Sequence, residues 1–138
     1  MSFNVYKAGY VFGSVRNHYA LFGETDDDKK GYFIHVFGDV QEGMEYYIQG
    51  QTKPEHRNGY LGKELLGTVA WKRFGDLLEV CELTPPPWKQ LDELGRKIYP
   101  NVAFYRCGEW LEEVIQKLKS ASILKPLMPN GVASGSTA

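Results

Sequence analysis

Over the first half of the chain, apolar and polar positions alternate with a period near two. Asn4 to Phe12 alternates loosely and is rich in Val and Tyr, and His18 to Phe22 (HYALF) is a short apolar run with turn chemistry on both sides. Both predict strands. Tyr32 to Phe37 (YFIHVF) predicts a third, joined to the second by the charged, glycine-terminated stretch Glu24 to Gly31 (ETDDDKKG), so the pair reads as a hairpin with a long solvated loop. Beyond Gly38-Asp39 and Gly43, Met44 to Gln49 (MEYYIQ) predicts a fourth strand, and the polar stretch Gln51 to Gly62 a surface loop. Leu66 to Lys72 (LGTVAWK) and Leu77 to Leu83 (LLEVCEL) suit strands, the second with a short helix as the alternative.

After Pro85-Pro86-Pro87 the period lengthens. Apolar residues at Trp88, Leu91, Leu94 and Ile98 fall at three- and four-residue steps, which predicts a short amphipathic helix with Pro87 near its start. Pro100-Asn101 interrupts it. Val102 to Ser120 then carries the clearest helical period. Taking Cys107 as zero and about 100 degrees per residue, Trp110, Leu111, Val114, Leu118 and Ala121 all lie within roughly 60 degrees of it. Glu112, Glu113, Gln116, Lys117 and Lys119 lie on the other side, with acids early and lysines late, as the helix dipole prefers. The tail from Lys125 onward is small, polar and broken by prolines, too poor in apolar side chains to offset its ordering entropy. The expected organisation is one domain over residues 1–125 with a flexible tail over 126–138, and an α+β fold in which the Cys107 helix packs on one face of an antiparallel sheet of five or six strands.

Composition narrows the partners. The 138 residues are 43% hydrophobic and 24% charged, with 16 basic and 17 acidic side chains, so the basic excess of a counterion-releasing nucleic-acid binder is missing. No apolar run approaches the ~18 residues of a membrane span, and the first residues lack the basic and apolar regions of a signal peptide. The expectation is a cytoplasmic protein with no nucleic-acid partner and no integral membrane segment; nothing in the pattern specifies an oligomeric state. Two cysteines, Cys81 and Cys107, are too few for a disulfide scaffold and lack zinc-site spacing, so no metal and no cofactor is expected. Asp26-Asp27-Asp28 beside Lys29-Lys30 reads as a solvated loop, and the glycines of GYLGKELLG lack a phosphate-loop ending. Trp71, Trp88 and Trp110 read as core residues.

Three side chains carry candidate chemistry. Cys107 heads the apolar stripe of its helix, where unpaired N–H groups and the dipole stabilise a thiolate, so its thiol is expected to titrate below the ~8.5 of a free cysteine. A small core residue is the competing reading. A nucleophilic thiol needs a base, and the chain has three histidines. His56 lies in a polar loop. His18 opens HYALF and His35 is the polar residue of YFIHVF, so each must find a partner within an apolar strand or face a cleft.

The order of the pieces, NHYALF, then YFIHVFG, then YRCGEWLEEVIQKL, resembles the circularly permuted papain-like thiol enzymes of the NlpC/P60 superfamily, whose lecithin:retinol acyltransferase-like and PPPDE-type branches place the His strand before the Cys helix. It is also similar to fungal proteins with HWALF, IHVxG and NCQxW segments. The resemblance spans most of residues 4–124 and implies a permuted papain-like fold, with Cys107 as nucleophile, His18 as general base and His35 as the residue that orients it. The implied activity is thiol-dependent hydrolysis or acyl transfer on a small-molecule or peptide-like amide, thioester or ester. Arg106 stands where the family commonly has Asn before the Cys, which keeps open a non-catalytic binding domain with a decayed site. A redox pair of Cys81 and Cys107 is a third reading, which requires their Cα atoms within about 7 Å.

Overall fold

A computed structural model describes residues 1–12 and 16–127. The alternating segments form β1 (Ser2–Phe12), β2 (Arg16–Glu24), β3 (Gly31–Asp39), β4 (Gly43–Thr52) and β5 (Tyr60–Ala70), and the segment after the last helix adds a short β6 (Leu124–Pro126). All neighbours are antiparallel, in the order β4-β3-β2-β1-β5-β6. The fold is therefore α+β, with a six-stranded antiparallel sheet and two helices, α1 (Phe74–Leu83) and α2 (Cys107–Ser120).

Period-two alternation gives the sheet two distinct faces. Phe3 and Val5 of β1, Leu21 of β2, Ile34 and Val36 of β3 and Val69 of β5 bury against Leu77 and Cys81 of α1 and against Trp110, Leu111, Val114 and Leu118 of α2. The opposite face carries a smaller cluster of Ala8, Tyr10, Ala20 and Phe33, flanked by Tyr60. Beside α2, β6 lies so close to β5 that a Cβ on Gly67 would stand 2.0 Å from the Lys125 carbonyl oxygen; with φ +155 there, only glycine fits.

Three expectations are corrected. Leu77 to Leu83 is helical, because Phe74, Leu77, Leu78 and Cys81 share one face at helical spacing and β5 ends in a 3₁₀ turn at Trp71–Arg73. Trp88 to Ile98 is not a helix. Asp92 accepts from the Leu94 and Arg96 backbone N–H groups, both at 2.9 Å, Gly95 turns the chain at φ +79, and Leu91 bridges back to Lys97. A side chain that caps a turn in this way competes with helix formation, and the spaced apolar residues bury no common face: Leu94 is 75% exposed. Of the tryptophans only Trp110 is core; Trp71 and Trp88 are each 42% exposed. The tail expected to be flexible keeps Pro126 in β6, and its residues 128–138 lie outside the described residues.

The irregular stretch between the helices is tied down by buried Gln90. Its side chain donates to the Tyr105 carbonyl at 2.7 Å and accepts from the Tyr105 N–H at 2.8 Å, while Trp88 and Tyr105 stack at 5.2 Å. The Met44 and Gln90 N–H groups bond the Pro87 and Val40 carbonyls, which straps the segment across the β3–β4 hairpin. The entry to α2 is thereby fixed from outside the helix.

Candidate active site

The site forms where the sheet opens. β2 pairs with β3 only from Leu21 to Gly23, against Ile34 to Tyr32, whereas β2 stays paired with β1 as far as Phe12 and Arg16, and β3 with β4 to its end. Beyond Leu21 and Ile34 the two strands diverge, and the start of α2 meets the gap. Backbone N–H groups along a strand point alternately to its two neighbours. The Tyr19 N–H faces the Cys107 thiol, and the N–H groups of Cys107 and Gly108 at the helix start stand near the same sulfur. The first residue of α2 thus takes a hydrogen bond that a longer β2–β3 ladder would have used.

Cys107 is the first residue of α2. At the third helical position the Glu109 carboxylate accepts the Arg106 backbone N–H at 2.6 Å, a cap that closes the helix start. Trp110, one turn on, is fully buried and donates its indole N–H to the Thr84 carbonyl at 3.0 Å. Tyr105 donates to Glu113 at 2.5 Å and Lys117 pairs with the same carboxylate at 2.9 Å. These contacts hold the thiol in place without touching it. Gln90, Tyr105 and Glu113 were invisible as site residues in the sequence, because their role comes from long-range contacts that no local pattern marks.

His18 and His35 come together. His18 Nε2 lies 2.7 Å from His35 Nδ1, with the rings edge to face at 5.0 Å. Both side chains lie on the sheet face away from α2: His18 is opposite Tyr10 in the β1 register, and His35 packs on Phe33. Cys107 packs with the cluster on the other face, against which Tyr19 also rests. One cleft of about 1200 Å³ is nevertheless lined by His18 and Cys107 together, since the gap between β2 and β3 is open to both. Val36, Phe37, Val40, Met44 and Phe104 give it apolar walls, with Asn17, Asp39, Arg106 and Glu109 as its polar groups.

Burial and the Arg57 guanidinium hold His18 down to about 4, and burial, His18 and Arg57 hold His35 down to about 3. Both rings are neutral at physiological pH, so one donates and the other accepts across the 2.7 Å contact. The expected low thiol is corrected. Burial, with the Glu109 carboxylate adding to it, pushes Cys107 above the usual thiol range and outweighs the Tyr19, Gly108 and Cys107 N–H groups. The resting pair is thiol and imidazole, not thiolate and imidazolium.

The histidine pair makes stability pH-dependent. Because both folded values lie below the unfolded ~6.5, the unfolded chain binds more protons between them, so the stabilisation is whole above ~6.5 and is lost as pH falls toward 4. The unfolding midpoint should fall over that window in wild type. His35→Asn should flatten the slope, and an unchanged slope would show that the pair does not titrate on unfolding.

Cys81 is buried in α1, and burial raises its thiol to about 12; both cysteines are free thiols. His56 is exposed on the 3₁₀ turn Pro54–His56. Among the described residues, no group of three or more His, Cys, Asp or Glu side chains is placed to hold a metal ion. Nor is any helix among them long and apolar enough to cross a membrane.

A family model described as "Family of unknown function (DUF6540)" matches residues 5–125, which takes in β2 to β5, both helices and most of β1 and β6. The chain belongs to this family. No curated protein and no solved structure matches it. The span of the DUF6540 match contains Cys107, His18 and His35, together with the segment that Gln90 pins.

Proposed function

We propose that this DUF6540 protein is a cytosolic thiol hydrolase or acyltransferase of permuted papain-like architecture, acting on an ester, thioester or amide. The observation that supports this most is one cleft lined by both a thiol at a helix start and His18, whose Nε2 lies 2.7 Å from His35 Nδ1 outside that cleft. Since His18 Nε2 is engaged with His35, a base role for His18 runs through Nδ1. In that role Nδ1 takes the Cys107 proton as Sγ bonds to the carbonyl carbon, and the His18 imidazolium keeps its Nε2–H on His35 Nδ1. Backbone N–H groups at the start of α2 face the developing oxyanion. Collapse breaks the bond to the leaving group, which departs with the proton from His18 and leaves a thioester on Cys107. Water or an acceptor nucleophile, deprotonated by His18, then releases the acyl group and restores the thiol.

The apolar walls of the cleft suit an acyl portion with hydrocarbon character, while Arg106 and Asn17 suit a polar remainder. A non-catalytic binding domain is the second reading, favoured by Arg106 before the cysteine and by the raised thiol. Turnover of a thioester or activated ester by wild type against Cys107→Ala separates the two, because the binding reading predicts equal rates.

A further inference from the structure

The sheet face opposite α2 carries a second cavity, of about 300 Å³. All three histidines of the chain line it, together with Tyr10, Phe33 and Arg57. The Arg57 Cζ lies over the Phe33 ring, 3.8 Å from its centroid, and Nη2 donates to the Gln49 side-chain oxygen. Its Nε is buried and has no hydrogen-bond partner among the described residues. No carboxylate among the described residues lines the cavity, although Glu55 and Tyr60 stand near enough to act on Tyr10.

The guanidinium is held there by the fold. Tyr10 donates its hydroxyl to the Pro54 carbonyl at 2.9 Å, the Arg57 N–H bonds the same carbonyl at 3.2 Å, and Val11 N–H bonds Gly59 at 2.9 Å. Gly59 sits at φ +82, and a Cβ on it would stand 2.3 Å from the Val11 carbonyl oxygen, so the loop closes on β1 only with glycine. A planar cation is thus pre-placed in the wall of an open cavity, with its buried Nε unpaired and no carboxylate among the described lining residues. Charge-assisted N–H bonds to an oxyanion are the strongest partners such a group can take.

We propose that this cavity binds a small oxyanion, of phosphate or carboxylate chemistry, on the Arg57 guanidinium with His35 and His56 as further donors. The cavity shares His18 with the Cys107 cleft but no other lining residue, and the proposal stands whether or not that cleft is catalytic. A bound anion also opposes the Arg57 charge that disfavours the protonated forms of His18 and His35, which connects the cavity to the histidine pair.

The test is a titration followed by NMR, reading the Arg57 Nε–H resonance and the ring C–H resonances of His35 and His56. Inorganic phosphate and acetate are added separately at millimolar concentration, with sodium chloride at matched ionic strength as the reference. A saturable shift with phosphate or acetate, beyond that of chloride, is expected, and the tighter of the two identifies the ligand chemistry. Arg57→Gln should abolish the histidine shifts, and Arg57→Lys, which keeps the charge but loses the planar fork, should weaken binding about tenfold. The proposal is overturned if neither anion gives a saturable shift, if chloride reproduces it, or if Arg57→Lys binds as tightly as wild type.

Discussion

His18→Ala is expected to slow acylation of Cys107 by about 10² to 10⁴-fold, while His35→Gln leaves partial activity, down by about tenfold. The asymmetry follows from position. His18 shares the cleft with Cys107, whereas His35 reaches that chemistry only through its 2.7 Å contact with His18 Nε2. Losing His18 removes the group that takes the thiol proton; losing His35 removes the acceptor that steadies the imidazolium. Single-turnover acylation rates in both variants check this, with thermal midpoints recorded because both side chains are largely buried. A larger loss at His35 than at His18 would reverse the assigned roles.

The second large effect is on stability. Trp110 is fully buried, packs beside Tyr46, and gives its indole N–H to the Thr84 carbonyl at 3.0 Å. Trp110→Ala removes that volume and leaves the carbonyl without its donor, at a cost of about 3–5 kcal/mol. For a domain of this length the unfolding midpoint should drop by more than about 10 °C. Trp110→Phe keeps much of the ring and should lose about half as much. Equal losses in the two would place the hydrogen bond, rather than packing, in control of the helix start.

Much of the sheet is legible in the sequence because period-two alternation in β1 to β4 has a direct physical cause: one face must be buried. The Cys107 helix is legible for the same kind of reason, with its stripe at Trp110, Leu111, Val114 and Leu118 all buried. The Trp88 to Ile98 segment misleads because spacing alone mimics a helix while Asp92 and Gly95 make a turn. Leu77 to Leu83 misleads because a short apolar run fits either period, and only its packing against α2 decides. At the site, the residue types were legible and their relation was not. Alternation along each strand places the two histidines on one sheet face, but their contact and the divergence of β2 from β3, which opens the gap to Cys107, are tertiary events. The thiol's raised pKa likewise depends on burial and on Glu109, against the local signal of a helix start.

The most direct test of the account is to map the covalent intermediate. Wild type, Cys107→Ala and His18→Ala are incubated with an acyl thioester and with a peptidyl probe, quenched in acid, and analysed by intact mass and peptide mapping. A single hydroxylamine-labile acyl adduct on Cys107 is expected, absent from Cys107→Ala and formed far more slowly in His18→Ala. An adduct on Cys81, an adduct rate unchanged by His18→Ala, or no adduct from either probe would contradict it.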